Sequence, residues 1–153
     1  MPVNVEGVRI EGLKEVQRAL KKYGDEAPKE LREELKNSSA TLKVVSDARR
    51  RLTEGIGKSL KRDSRSTGRA AASLRVLSNA NGVFIVGGKG SVPYYGWLDF
   101  GGQLHPTGSR YNGQKRNFIK QGRAIYPAIN ENIHNLERAA EDAVARAKRK
   151  AGL

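Results

Sequence analysis

The stretch that decides the fold is 74–101, which reads LRVLSNANGVFIVGGKGSVPYYGWLDFG. Its two apolar runs, 74–79 and 83–87, have the valine, isoleucine, leucine and phenylalanine content that is typical of β-strands. Between them stands Asn79-Ala80-Asn81-Gly82, and an Asn-Gly dipeptide accepts the positive φ angles that a tight turn between strands requires. The pattern therefore predicts a β-hairpin.

An aromatic segment follows the hairpin. Residues 94–100 hold four of the nine aromatic residues of the chain, and aromatic residues favour a half-buried strand or a tight turn packed against a sheet. Asp99 is the single acid in this segment. A carboxylate in such a place accepts local hydrogen bonds or caps a turn more often than it acts as a catalytic base, so we interpret Asp99 as structural.

Helical periodicity surrounds the hairpin. We expect a short first strand within 3–10, and apolar residues at three- and four-residue spacing predict a helix over 13–23. A long helix is predicted over 28–54, and a last helix begins at Tyr126-Pro127. The apolar faces of these two helices comprise Leu31, Leu35, Leu42, Val45 and Leu52 in the former and Ile129, Ile133, Leu136, Ala140, Ala143 and Ala147 in the latter. No boundary divides the chain, so a single domain over 1–153 is expected.

The positive charge is concentrated in two glycine-containing segments. The chain carries 29 Lys and Arg residues against 16 Asp and Glu, a net charge of +13. Residues 49–75 hold nine basic and two acidic side chains, and residues 101–130 hold five basic and no acidic ones. We predict mobile loops at about 55–68 and 101–124, and a basic tail at about 146–153 that frays.

This local excess of cations favours an anionic partner, either nucleic acid or an acidic protein surface, although it is also compatible with a surface that only solvent contacts. The candidate residues that would face a partner or DNA are Lys58, Lys61, Arg62, Arg65, Arg110, Lys115, Arg116, Lys120 and Arg123. In Arg110-Tyr111 and Arg116-Asn117-Phe118, cations stand beside aromatic rings, as in proteins that stack single-stranded bases and contact phosphates. A small basic nucleic-acid-binding protein is therefore one hypothesis.

Motifs of the familiar enzyme classes are absent from the sequence. There is no cysteine, and VGGKGS at 86–91 lacks the spacing of a phosphate-binding loop. His105 and His134 have no carboxylate or second histidine at metal-ligand spacing. A hydrolase would need a clustered acid pair, for which Asp63 and Asp99 offer little support. We predict no catalytic, cofactor-binding or metal-binding residues and no enzymatic activity, and without an apolar run of about 20 residues we expect no membrane partner.

Several short motifs follow one another along nearly the whole chain. In order they are Val8-Arg9-Ile10-Glu11-Gly12-Leu13, Ala48-Arg49, Thr67-Gly68, Ser73-Leu74, Val83 to Gly87, Tyr94 with Asp99-Phe100-Gly101, and Tyr126-Pro127-Ala128. This order resembles the neck and tail-completion proteins, or head–tail connectors, of long-tailed bacteriophages. Three positions depart from that family's pattern, since Asp99 replaces the usual Glu, Tyr95 replaces a small residue and Ala70 replaces Leu.

The resemblance implies an α+β domain in which an antiparallel β-sheet is flanked by a long helix and a C-terminal helix, with long basic loops. The residues that it assigns to the family motif and its packing are Gly12, Leu13, Gly68, Leu74, Tyr94, Trp97, Asp99, Phe100, Gly101 and Pro127.

The resemblance also implies a structural role in the virion, at the junction of neck and tail, for a protein made in the bacterial host cytoplasm. The expected partners are copies of the chain itself in a ring, a hexamer, together with neighbouring neck proteins, the tail terminator or tail tube, and the head-closure or portal ring. Genomic DNA in the channel is a further expected contact. The basic nucleic-acid-binding protein is the alternative.

Overall fold

The structure is a computed structural model that describes residues 3–5, 13–22, 24–56, 64–79, 82–104 and 114–150. The elements in these ranges are, in chain order, β1 (Val3–Val5), α1 (Leu13–Lys21), α2 (Glu26–Lys36), α3 (Ser39–Arg50), a π-helical turn (Arg51–Ile56), α4 (Ser64–Ser73), β2 (Arg75–Asn79), β3 (Gly82–Gly87), α5 (Tyr95–Phe100), β4 (Gly102–Leu104), β5 (Gln114–Arg116), α6 (Ile125–Glu131) and α7 (Ile133–Lys150). Helices and antiparallel strands are both present, which confirms the α+β class. None of these helices combines the length and the hydropathy needed to cross a bilayer.

The predicted hairpin is confirmed, and it forms two strands of a three-stranded antiparallel sheet of order β1-β3-β2. In the β2–β3 ladder Val76 pairs with Ile85, and Asn79 pairs with Gly82. Only two residues therefore connect the strands, as a tight turn requires. β1 pairs with the other edge of β3 and confirms a first strand near the start of the chain.

The two segments that were predicted as single loops contain regular structure. In 101–124, β4 pairs antiparallel with β5 from Gly102↔Arg116 to Leu104↔Gln114, so backbone hydrogen bonds join the two ends of the segment. In 55–68, the last five residues already belong to α4. The loop predictions are wrong for these parts, and 57–63 and 105–113 lie outside the described residues.

The predicted long helix is in fact two helices, because the chain leaves helical geometry at Ser38. Ser38 has φ −62° and ψ 145°, and its Oγ accepts a hydrogen bond from Thr41 N at 3.2 Å. Thr41 Oγ1 donates to the carbonyl of Leu35 at 2.9 Å, so one orphan carbonyl at the end of α2 is also satisfied. The break changes the phase of the helix, so Leu42 is exposed although the pattern placed it on the apolar face, and Val44 is buried instead.

The aromatic segment is helical rather than extended. α5 places Tyr95 and Asp99, four residues apart, on one buried face of the helix. The strand preference of aromatic residues is weak and depends on packing, so the contacts of this face decide the local structure.

Helices α6 and α7 lie antiparallel to α3 and α2. Asn132, at the break between α6 and α7, donates to Asp47 Oδ2 of α3 at 2.9 Å, and Lys150 Nζ lies 3.7 Å from Glu30 Oε2 of α2. The partner of the α6–α7 segment therefore changes from α3, near Asn132, to the start of α2, near Lys150. The basic tail predicted at 146–153 is helical up to Lys150, and its Arg146 and Lys150 pair with acids of α2. Its last three residues lie outside the described ranges.

Two clusters of buried apolar side chains form the core. The larger cluster joins α3, α4, β3, α5 and α6, and its fully buried members include Val44, Leu52, Leu74, Tyr95, Leu98 and Ile125. The smaller cluster joins α1, α2 and α7 through Leu20, Leu31, Leu35, Ala140 and Ala143. The alanines let the backbone of α7 lie close to α2, so the acids of α2 and the cations at the end of α7 become neighbours.

Replacing Ser38 with alanine tests the break between α2 and α3. The variant removes the acceptor for the Thr41 N–H, and we expect the free energy of unfolding to fall by about 1 kcal/mol. Ser46→Ala, at an exposed position inside α3, is the matched control and should be neutral or slightly stabilising, because alanine is the better helix former. Urea denaturation followed by circular dichroism measures both variants. Equal stability of the two variants would contradict the capping role.

Candidate functional site

The carboxylate of Asp99 lies where three segments of the chain meet. The side chain is 0% exposed. Its Oδ1 accepts hydrogen bonds from the backbone N–H groups of Arg123 at 2.7 Å and Ala124 at 2.9 Å, and its Oδ2 accepts from the Tyr95 hydroxyl at 2.9 Å. A longer contact of 3.5 Å joins Ile125 N to Oδ2. Tyr95 is a local partner, as the sequence analysis predicted for Asp99, but the backbone donors lie 24 to 26 residues further along the chain.

Asp99 caps α6 from a distant position in the chain. Ala124 stands at the N-cap of α6, and its methyl group cannot accept a hydrogen bond. The first N–H groups of a helix have no partner within the helix, and a negative charge is favourable at that end of the helix dipole. Asp99 supplies the negative charge, and it accepts hydrogen bonds from Ala124 N at the N-cap and, at 3.5 Å, from Ile125 N, the first N–H of α6. It thereby fixes α5 against the start of α6.

The ring of Tyr95 links this carboxylate to the sheet. The ring lies against Gly87 at the end of β3, where a Cβ atom would come within 2.3 Å of Tyr95 Cζ, so no larger residue fits there. Burial raises the pKa of Tyr95 far above its ordinary value, and the charge of Asp99 and the hydrogen bond to it raise it further. The hydroxyl therefore remains protonated and donates to Asp99.

A close approach of the backbone at Gly122 completes the surroundings of Asp99. Gly122 has φ +71°, and a Cβ atom there would lie 2.6 Å from Asp99 Oδ1 and 2.9 Å from Phe100 Cε1. Only glycine combines this positive φ with such a short distance to the carboxylate. The Phe100 ring in turn meets Tyr126 of α6 edge-on, with 6.2 Å between the ring centres.

The turn formed by residues 117–122, which we call the Phe118 turn, is tied to this junction. Ile119 N donates to the carbonyl of Phe100 at 2.8 Å. The Arg123 guanidinium donates to the carbonyl of Asn117 at 2.5 Å and also reaches the backbone carbonyl of Asp99 at 3.2 Å. The backbone of the turn is therefore held at both of its ends.

The Phe118 turn presents apolar side chains to solvent. The side chain of Phe118 is 69% exposed and that of Ile119 is 43% exposed, and the next residue, Lys120, is also exposed. A rigid turn with an outward aromatic ring beside a cation is suited to docking on another molecule.

The cations that were predicted to face a partner differ in their surroundings. Lys120 is exposed on the Phe118 turn. Arg123 differs from the prediction, because its guanidinium donates to two backbone carbonyls and so belongs to the structure of the turn. Lys115 and Arg116 lie on β5, and Arg65 lies on α4. The other predicted cations, which lie outside the described residues, are Lys58, Lys61, Arg62 and Arg110.

Several residues assigned to the family motif meet at this junction. Those that are buried in or packed on the larger core cluster are Leu74, Tyr94, Trp97 and Phe100. Trp97 Nε1 donates to the carbonyl of Gly102 at 3.1 Å. Gly101 ends α5 at φ +87°, and Pro127 lies in the first turn of α6, where its missing N–H does no harm.

The remaining motif residues are Gly68, Leu13 and Gly12. Gly68 is exposed on α4, and a Cβ atom there would meet nothing within 4 Å. Leu13 is the first residue of α1, which lies far from Asp99 in the sequence. Gly12 lies outside the described residues.

Sequence reasoning missed the roles of Tyr95 and Gly122. The four-residue spacing between Tyr95 and Asp99 was the one available signal for their hydrogen bond, because residues at that spacing share a helix face. No local signal marked Gly122, since its need for glycine comes from a carboxylate 23 positions earlier.

The hydrogen bonds around Asp99 position α5, the Phe118 turn and α6 relative to one another. The oxygens of Asp99 already accept hydrogen bonds and have no solvent contact. Within the described residues, no three His, Asp or Glu side chains lie together as a metal site would require. No protein-family model, curated protein or solved structure matches the chain.

Asp99→Asn tests the junction directly. The variant keeps the shape of the side chain but loses the charge and one acceptor, so one buried donor is left unpaired. We expect the free energy of unfolding to fall by about 2–3 kcal/mol. Chemical denaturation followed by the fluorescence of Trp97, the one tryptophan of the chain, measures the change.

Asp142→Asn makes the same chemical change at an exposed position of α7 and is the matched control. Its stability should lie within about 0.5 kcal/mol of the wild type. If the two variants unfold at the same denaturant concentration, Asp99 does not hold the junction.

Tyr95→Phe gives a pH signature. Because the folded-state pKa of Tyr95 lies far above its ordinary value of 10.0, the unfolded chain releases this proton from about pH 10 upward while the folded chain keeps it. The hydroxyl therefore contributes its full stabilisation below about pH 10. Above that pH its contribution to the free energy of unfolding falls by about 1.4 kcal/mol per pH unit.

At neutral pH we expect the wild type to be more stable than Tyr95→Phe by about 1 kcal/mol. This advantage should shrink as the pH rises above about 10, as denaturation curves of both proteins at matched pH would show. An advantage that stays constant through the alkaline range contradicts a buried, protonated Tyr95. Comparing the two proteins cancels the titration of the lysines and of the other tyrosines.

Proposed function

We propose that this chain is a structural subunit of the neck of a long-tailed bacteriophage, a head–tail connector that assembles as a ring between the capsid portal and the tail. The observation that carries the proposal concerns Tyr94 and Asp99-Phe100-Gly101, the motif that most resembles that family. These residues coincide with the junction that ties α5, the Phe118 turn and α6 together.

The form of the junction supports a docking role. It holds a turn whose aromatic side chain points into solvent, and aromatic residues are frequent anchors of protein interfaces. A turn that is already held by hydrogen bonds loses little conformational freedom on binding, so more of its contact energy appears as affinity.

The charge of the chain supports partners that are acidic. A net charge of +13 attracts acidic faces of adjoining rings, or DNA that passes through the channel of the neck. In the proposed assembly each copy contacts the next around the tail axis, and closure of this head-to-tail contact produces the ring, with six copies as the resemblance implies.

A nucleic-acid-binding protein is the second candidate, and one observation favours it. The exposed ring of Phe118 beside Lys120 is the combination with which proteins stack bases and contact phosphates. This candidate requires affinity for DNA or RNA that falls steeply as the salt concentration rises.

Deletion of the gene tests the connector proposal. We expect lysates in which filled heads and complete tails fail to join, seen by electron microscopy, and recovery when the wild-type gene is supplied in trans. A tagged chain should be found at the junction of head and tail by gold labelling. Joined and infectious particles that lack the chain would overturn the proposal, and salt-steep binding of the purified chain to nucleic acid would then favour the second candidate.

A further inference from the structure

An acidic pocket lies between the start of α2 and the end of α7. Its volume is about 350 Å³, at the small end of the range for binding pockets and larger than one aromatic side chain. Its acidic wall comprises Asp25, Glu26, Glu30 and Glu34, and its apolar part includes Leu31 and Ala147. Among the described residues, Lys150 is the one cation in the lining.

The acids of this pocket are available to a cationic partner. Glu34 lies 3.3 Å from Arg146, and Lys150 lies 3.7 Å from Glu30 and 3.9 Å from Glu34. These pairs are at the surface, where an ion pair contributes little and exchanges readily with another. Glu26 likewise lies 2.9 Å from Lys29. Among the described residues, the four carboxylates of the lining outnumber by one the cations that pair with them, Lys29, Arg146 and Lys150.

The Phe118 turn has the complementary character. It presents exposed Phe118 and Ile119 side chains with Lys120 next to them. The surrounding segment, 101–130, contains five basic residues and no acid. An aromatic anchor with an exposed lysine two residues away fits an apolar cavity that has an acidic wall.

The turn and the pocket lie at opposite ends of the molecule. The turn directly precedes α6, whereas the pocket lies at the far end of α7, and α6 and α7 run together along α3 and α2. With 18 residues, α7 alone spans about 27 Å. The turn therefore does not reach the pocket of its own molecule, so a contact between the two surfaces requires a second copy.

We propose that the Phe118 turn of one copy docks into the acidic pocket of the next copy, with the Phe118 ring in the cavity and Lys120 facing Glu26 and Glu30. This contact rests on the proposed function and specifies the surface through which the ring forms. It joins two different surfaces, so repetition builds a closed ring or an open filament rather than an isolated two-fold dimer.

Single cysteines test the contact, because the chain has no cysteine of its own. Gln121→Cys places a thiol on the exposed rim of the turn, and Ala27→Cys places one on the lining of the pocket. When the two full-length variants are mixed with a short bismaleimide cross-linker, we expect a covalent heterodimer on a denaturing gel. A chain that carries both cysteines should give a ladder that stops at the size of the ring.

The matched control for position is Leu42→Cys, which is exposed on α3 outside both surfaces and should not cross-link to Ala27→Cys. Cross-linking of Gln121→Cys only to itself would overturn the proposal in favour of a two-fold contact. The absence of any product between positions 121 and 27 at high protein concentration would also overturn it.

Side-chain substitutions test the energetics of the contact. Phe118→Ser should weaken self-association about 30-fold, the size of effect that an interface anchor has. Lys120→Glu and Glu30→Lys should each weaken it, and their combination should restore part of the loss, because the charges then face each other with reversed sign. Lys43→Glu makes the same change of charge at an exposed site of α3 and should have a smaller effect. Sedimentation velocity at several concentrations measures all five proteins.

The outcomes separate this proposal from the connector function. If the wild-type chain forms rings but Phe118→Ser and Lys120→Glu associate as well as the wild type, the docking contact is wrong and the connector function stands. If positions 121 and 27 cross-link but virions without the chain are joined and infectious, the contact stands and the connector function is wrong. Unmodified association of the charge-reversed variants at every salt concentration would also count against the docking contact.

Discussion

The buried carboxylate of Asp99 accepts hydrogen bonds from the backbone N–H groups of Arg123 and Ala124, just before α6, and from the hydroxyl of Tyr95, and the surrounding structure depends on this interaction. An ionised group without solvent contact is tolerated only where hydrogen bonds and an opposite partial charge compensate its lost hydration, and the start of a helix supplies both. The Tyr95 ring extends the same constraint to the end of β3, where Gly87 leaves room for it. The hairpin, α5 and α6 therefore hold one another in place around one negative charge.

The consequences of this junction reach the surface of the molecule. The backbone of the Phe118 turn is held at Ile119 and Arg123, so the exposed position of the Phe118 ring follows from the interior rather than from a loose loop. At the far end of α7 four carboxylates line a pocket, because the small residues of α7 let it lie close to α2. In the proposed docking the turn of one copy enters this pocket of the next copy, and such a head-to-tail contact can close into a ring.

Much of the fold could be predicted where the signals were local. The hairpin followed from two apolar runs around Asn79 to Gly82, and α1 followed from three- and four-residue spacing. The errors arose where a local signal competed with packing. The apolar spacing of the long helix suggested continuity, but the hydrogen bond between Ser38 and Thr41 divides it and turns Leu42 outward. The aromatic segment was predicted as a strand or a tight turn, although the shared buried face of Tyr95 and Asp99 made it a helix.

By itself the sequence determined the hairpin, the helix α1, the excess of positive charge and the structural character of Asp99. Each of these depends on composition or on neighbours within a few residues. Only the tertiary structure decided that Asp99 caps a helix 25 residues away, that Gly122 passes close to that carboxylate, and that four acids surround a pocket at the end of α7. Local preference describes what a carboxylate or a glycine can do, but the choice of its partner depends on which distant segments the folded core brings into contact.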